Sequence, residues 1–475
     1  MTEAVEYDVV VLGGGPAGEN IVDRTRAAGL STALVESELV GGECSYWACV
    51  PSKALLRPVL ARAEARRVPG LSAAVQGPLD TAAVLAHRNH WVGDWKDQGQ
   101  IDWIDSTGAD VYRGHGRLYG VRKVAVTSPE GEHHVLSARH AVVVATGTRA
   151  VVPDLPGMAQ ARPWTSREAT SAQQAPGRLL IVGGSVVGCE MATAWQSLGS
   201  QVTLLARDAG LLPRMEPFAG ELVADALRAA GAVVRTEVAV ESVVRDGPTG
   251  PVTVVLKGGE RLEGDELLMA TGRAPRTDDI GLDTIGLPAG KWIEVDESCR
   301  VPGHDWLYAV GDVNHRALLT HQGKYQARIA GAAIVARAEG GTADTGPWGA
   351  HAATADTRAV PQAVFTDPEA AAVGLTLAEA ERAGHRVRAV DYDLSKVSGA
   401  GLYADGYRGR ARMVVDLDRE VLLGATVVGP GAAELVHAAT VAVVGEVPIA
   451  RLWHAVPAFP TISELWLRLL EAYRG

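Results

Sequence analysis

Two cysteines, Cys44 and Cys49, stand five positions apart in the segment Gly41-Gly42-Glu43-Cys44-Ser45-Tyr46-Trp47-Ala48-Cys49-Val50-Pro51-Ser52-Lys53, in a chain of 475 residues with four cysteines in all. Thiols at this spacing can lie one helical turn apart, within the short β-carbon reach that a disulfide demands. The ammonium of Lys53 and a helix amino terminus would favour the thiolate, the reactive form in thiol–disulfide exchange. Zinc is the competing reading, but it needs about four ligands, and no second Cys/His cluster stands nearby. Four cysteines cannot frame a chain of this length with disulfides. In a reducing compartment the pair therefore reads as catalytic or metal-binding.

The elements that must position such a pair are legible as two copies of one unit. Residues 9–12 read as a strand, followed by Gly13-Gly14-Gly15-Pro16-Ala17-Gly18, a helix to residue 28, Gly29 as its stop and a second strand at 32–35. Residues 179–182, Gly183-Gly184-Ser185-Val186-Val187-Gly188, a helix to residue 198, Gly199 and a strand at 201–205 repeat the pattern 170 positions later (13 to 183, 18 to 188). Each glycine fingerprint lies between strand and helix. There it permits a tight turn and sets a pyrophosphate against the helix amino terminus. Buried strands that end in Ala145-Thr146-Gly147 and Ala270-Thr271-Gly272 close the two units, and a short strand at 307–310 runs into Gly311-Asp312.

The two copies differ where the ribose of a dinucleotide would sit. Glu36 ends the second strand of the first copy, as a ribose-binding acid should. Its counterpart is Ala206, followed by Arg207, whose guanidinium suits a ribose 2′-phosphate and so favours NADPH over NADH. A solvated surface arginine is the plain alternative.

Composition narrows the rest. The chain carries 45 basic and 56 acidic side chains, net -11, with no basic block, which argues against nucleic acid as a partner. Its apolar runs fall far below the roughly 18 residues of a membrane span. The acidic start leads straight into a strand with no signal-like segment, so a cytoplasmic location is expected. Residues 340–356, poor in apolar side chains, read as a linker. Alternating strands and helices beyond 360 read as a separate α+β domain.

Taken together, the Cys44 to Lys53 segment, both fingerprints, both Ala-Thr-Gly turns, Gly311-Asp312 and Pro361-Gln362-Ala363-Val364-Phe365-Thr366-Asp367-Pro368-Glu369 resemble the flavin-dependent pyridine nucleotide-disulfide oxidoreductases. That family includes dihydrolipoyl dehydrogenase, glutathione reductase and mercuric reductase. The resemblance implies an α/β fold with two Rossmann-like domains, for FAD and NAD(P), and a carboxy-terminal α+β domain that forms a homodimer. The implied boundaries are 1–150 for the first part of the FAD domain, 151–275 for the NAD(P) domain, 276–350 for the return and 358–475 for dimerisation. Gly13, Gly15, Gly18 and Glu36 would hold FAD; Gly183, Ser185, Gly188, Arg207 and Gly272 would hold the nicotinamide nucleotide.

By the same resemblance Cys49 would touch the flavin and Cys44 would exchange with substrate. Lys53 would lie by the flavin, paired with Glu190. Asp312 would bond the ribityl chain, Gly116 and Thr146 would lie near the adenosine half, and Gly42 and Gly147 would belong to the same site. Thr320 and His321 would approach the ring. Disulfide-reducing members carry a histidine immediately before Pro-Thr near the end of the chain, oriented by a glutamate. Here Phe459 precedes Pro460-Thr461, with Glu464 three positions on. Phenylalanine moves no proton, so general acid catalysis, worth about 10²–10⁴-fold, needs another group. His454 is the candidate substitute, against a plain loop or interface reading.

The spacing of Thr461 and Glu464 also fits a capping box for a helix at 465–473. The remaining cysteines are Cys189 and Cys299, so the extra terminal cysteine pair that mercuric reductase carries is missing. A small disulfide or sulfur compound is the expected acceptor. A quinone-like or metal acceptor is the alternative that Phe459 suggests.

Overall fold

A computed structural model describes residues 4–475. The chain divides into two units, one built from residues up to 50 with Asn89–Arg149 and Arg273–Thr357, the other from Pro51–Arg88, Ala150–Gly272 and Arg358–Gly475.

In the first unit the strand Val5–Leu12 pairs in parallel with Thr32–Glu36 on one side and His133–Val144 on the other. Asp110–Arg113 and Leu307–Ala309 extend this parallel sheet at its two ends. Parallel neighbours need a crossover, which the helix Pro16–Ala27 supplies between the first two strands. Strand side chains alternate in direction, and the alternation sorts the valines into two cores. Val9, Val11, Ala141 and Val143 pack with Ile21 and Val22 on one face, while Val10, Leu12, Val142 and Val144 pack with Leu118 and Leu136 on the other. Burial on both faces explains why these strands read as unbroken apolar runs.

In the second unit Arg178–Val182 lies between Gln201–Leu205 and Glu266–Met269 in parallel. Leu179 and Ile181 face one core, and Leu180 the other. The helix Val186–Ser197 is buried continuously from Gly188 to Trp195. A separate five-stranded antiparallel sheet runs in the order Gln362–Val364, Ala370–Gly374, Val421–Val428, Arg410–Asp416, Val387–Asp393. The α/β class expected from the sequence is the one observed. No described helix is long and apolar enough to cross a membrane.

The stretch expected as a linker at 340–356 forms no helix or strand up to residue 354 and is largely exposed to residue 350, but its end is anchored. Ala352 and Ala353 are buried, Tyr325 donates to the Ala352 carbonyl at 3.1 Å, and Asp356 accepts 2.9 Å bonds from Gln322 and Gln326. Small side chains and polar anchors hold that end alone.

Candidate active site

The two fingerprints fold alike in atomic detail. The N–H of Gly13 donates to Val35 at 2.9 Å and that of Gly183 to Leu205 at 2.8 Å. An added β-carbon at Gly18 would fall 1.9 Å from the Gly13 carbonyl oxygen, and one at Gly188 would fall 1.9 Å from that of Gly183. Only glycine tolerates that approach. The loops diverge at the acid: Gly14 N–H donates to Glu36 Oε2 at 2.7 Å, whereas Gly184 lies against the methyl group of Ala206. Gly15 has open space where a side chain would be, so the first loop presents bare backbone beside a carboxylate, as a dinucleotide requires. Gly42 closes on Gly15, and a β-carbon there would sit 2.9 Å from the Gly15 Cα. Gly116 lacks a side chain for a packing reason, since a β-carbon would strike Leu12 and Val35.

The cysteines lie on two helices rather than one turn of a single helix. Cys44 is in Gly42–Tyr46, the chain breaks at Trp47, and Cys49 opens the 18-residue helix Cys49–Arg66. Both are free thiols and they hydrogen-bond each other. The Thr320 hydroxyl, at the start of the helix Thr320–Ala338, lies 3.3 Å from Cys49 Sγ. The Cys44 thiol is pushed far up, first by its hydrogen bond to Cys49 and then by burial, with Thr320 and Lys324 acting in the opposite direction. Cys49 stands at the start of its helix, where the amino-terminal backbone favours negative charge on sulfur.

Around the thiols in the same unit runs a network that the sequence left without a role. Arg276 reaches Glu43 at 3.1 Å, and Arg273 bonds the Thr148 hydroxyl at 2.6 Å. Thr148 in turn donates to Asp312 at 2.8 Å. Burial raises the Asp312 carboxyl, although Thr148 and Arg273 oppose it. Thr146 donates to the Arg276 carbonyl at 2.8 Å, and the Arg276 N–H donates to the Gly147 carbonyl at 3.0 Å. Arg273 directly follows the second Thr-Gly turn, a position that offered a signal. His321 is exposed on the first turn of its helix.

Glu19 is a second residue the sequence did not mark. Its Oε1 is buried without a partner, and burial lifts its carboxyl to about 7 despite Lys324. The ordinary value is 4.5, so between 4.5 and 7 the folded chain holds the extra proton. Stability then falls as pH rises and the full loss is present above pH 7. Glu19→Gln is expected to stabilise the protein at pH 8 by about 2–3 kcal/mol and to leave it nearly unchanged at pH 4.5. Denaturant unfolding at the two pH values measures this, and an equal change at both refutes it.

In the second unit Lys53 Nζ bonds both carboxylate oxygens of Glu190, at 3.0 and 2.8 Å, and the Phe365 N–H adds a third bond at 3.0 Å. The Lys53 ammonium is thus paired with Glu190. Ser185 caps the helix Val186–Ser197, and the backbone of Gly272 lies at φ 134. Arg207 is exposed and, among the described residues, makes no ion pair.

Phe459 is 74% exposed and His454 is exposed five residues earlier. The capping box is not formed. The last helix is Glu464–Arg474 with Ser463 at its cap, Thr461 donates to the Ala458 carbonyl at 2.7 Å, and Glu464 pairs with Arg468 at 3.6 Å. No group of three His, Cys, Asp or Glu among the described residues could hold a metal ion.

Comparison with known proteins gives a consistent result. The family model "Pyridine nucleotide-disulphide oxidoreductase" matches residues 7–340, and its dimerisation domain matches residues 360–469. A mercuric reductase of Streptomyces lividans is 32% identical over 465 residues, 94% of this chain and 93% of that one. A dihydrolipoyl dehydrogenase of Chlorobaculum tepidum is 30% identical over 472 residues, 98% and 96% respectively. Among solved structures, LpdA of Mycobacterium tuberculosis has a TM-score of 0.83 at 25% identity, covering 98% of this chain and 99% of that one. The HOCl-induced flavoprotein disulfide reductase RclA of Escherichia coli has a TM-score of 0.82 at 23% identity with the same coverage, a likeness of fold.

Proposed function

Because the chain belongs to the pyridine nucleotide-disulphide oxidoreductases and is an FAD-dependent oxidoreductase, we propose that it carries reducing equivalents from NADPH to a small disulfide through Cys44 and Cys49. The observation that carries this reading is the hydrogen-bonded thiol pair with the Thr320 hydroxyl 3.3 Å from Cys49. When bound, FAD would supply the hydride-accepting ring between nicotinamide and sulfur. The bare loop Gly13–Gly15–Gly18 and Glu36 suit its pyrophosphate and ribose. Gly42, Gly116, Thr146, Gly147, Asp312, Thr320 and His321 complete its setting.

In the sulfur half of the cycle, Cys44 gives up its proton and attacks one sulfur of the substrate, and the first thiol leaves carrying a proton. Cys49 likewise gives up its proton and attacks the mixed disulfide, so the second thiol leaves protonated and Cys44–Cys49 are joined. Two electrons and two protons restore the dithiol. His454 is the one histidine near Phe459 in sequence that could protonate a leaving thiolate. Lys53 and Glu190 hold the thiol-bearing helix. The exposed side chains Val456 and Phe459 suit burial in a homodimer, and a thiol pair of this kind works in the reducing cytoplasm.

Anaerobic titration of the holoenzyme with NADPH, followed by a panel of disulfides and quinones, tests the reading. Phe459 favours one competitor, a quinone-like or metal acceptor. Rapid quinone turnover with negligible rates on every disulfide would support that competitor and reject ours.

The NADPH preference rests on Arg207. Arg207→Glu is expected to weaken NADPH by roughly 10–100-fold, the worth of charge-assisted phosphate bonds, while NADH changes little. Steady-state KM for the two nucleotides measures it, and parallel shifts would count against a phosphate contact.

A further inference from the structure

A cavity of about 440 Å³ opens within the first unit, walled by Arg122, Arg139, His140, Arg300 and Arg337, with Asp305 as its one carboxylate. This concentration of positive charge stands out in a chain of net charge -11. Arg122 meets Asp305 at 3.7 Å, Arg300 meets Asp296 at 3.4 Å, and Arg139 meets Glu6 at 2.7 Å and Asp8 at 3.1 Å. A guanidinium carries five N–H donors, so these contacts leave several unused. Arg337 meets no carboxylate among the described residues. It donates to Ser298 Oγ at 3.2 Å and to the Tyr308 hydroxyl.

Tyr308 also lines the cavity and is 1% exposed. Its oxygen accepts from Arg337, and its own proton finds no acceptor among the described residues. Buried donors of this kind are costly to leave unmet. The wall thus supplies positive charge and spare N–H and O–H donors with few acceptors, which is what a compact oxyanion satisfies. Arg337 lies 17 residues beyond Thr320 on one helix, about 25 Å along its axis, so the cavity is remote from the thiols.

We propose that this cavity binds a phosphorylated small molecule through its phosphate, at a site distinct from both dinucleotide loops. The test is calorimetric titration of holoenzyme, with both dinucleotide sites filled, by inorganic pyrophosphate at constant ionic strength. One site per chain is expected, weakened roughly tenfold or more in Arg337→Gln and in Tyr308→Phe, with NADPH oxidation unchanged. Tyr308→Phe keeps the ring, and Arg122→Gln alters only the rim, so a folded variant is available if Arg337→Gln does not fold. Absence of binding at millimolar pyrophosphate, or equal affinity in the folded variants, overturns the proposal. Neither result depends on which disulfide the thiols reduce.

Discussion

In Cys44→Ala, NADPH-driven reduction of a disulfide substrate is expected to fall roughly 10⁴-fold or more, while NADPH still bleaches the yellow colour of the holoenzyme. Exchange through a thiol pair needs one sulfur to attack and a second to resolve, and a single thiol cannot close the ring. The effect exceeds that of any neighbouring group because Cys44 and Cys49 act as a unit rather than additively. The reciprocal variant discriminates further. Cys49→Ala is expected to stop at a mixed disulfide on Cys44, visible as the added mass of one substrate half. Disulfide turnover that survives in both variants would remove the thiols from the reaction.

The second large effect concerns stability. Lys53→Met is expected to destabilise the protein by about 3–5 kcal/mol, the cost of stranding a buried carboxylate. Glu190 is 3% exposed, and its oxygens are satisfied by Lys53 and by the Phe365 N–H. Removing the ammonium leaves one backbone donor for a full negative charge. The double variant Lys53→Met with Glu190→Gln is expected to recover most of the loss, since no charge then remains buried. Urea unfolding of the single and double variants reads the difference. A double variant as unstable as the single one would show that packing, not charge, dominates there.

Much of this architecture could be read in the sequence because it depends on local rules. A glycine packed so close to a carbonyl oxygen that an added β-carbon would fall under 2 Å from it, as at Gly18 and Gly188, leaves a mark no other residue can imitate. Strands buried on both faces leave apolar runs. What could not be read depends on chain segments far apart. The Lys324 charge bears on Glu19 across about 300 residues, and Arg273 bonds Thr148 across 125. The spacing of Cys44 and Cys49 suits one helical turn and does not reveal the break at Trp47. Thr461 and Glu464 satisfy the pattern of a cap, yet the cap falls on Ser463, two residues on, and the Thr461 hydroxyl donates to the Ala458 carbonyl instead of accepting from a helix N–H.

The contrast between Glu36 beside Gly14 and Ala206 beside Gly184 lies on a matched backbone. The peptide frame that would grip a diphosphate admits no larger residue at Gly18 or Gly188 in either copy. The side chain at its lip is under no such constraint. A substitution there could therefore change what each loop presents without rebuilding its hand.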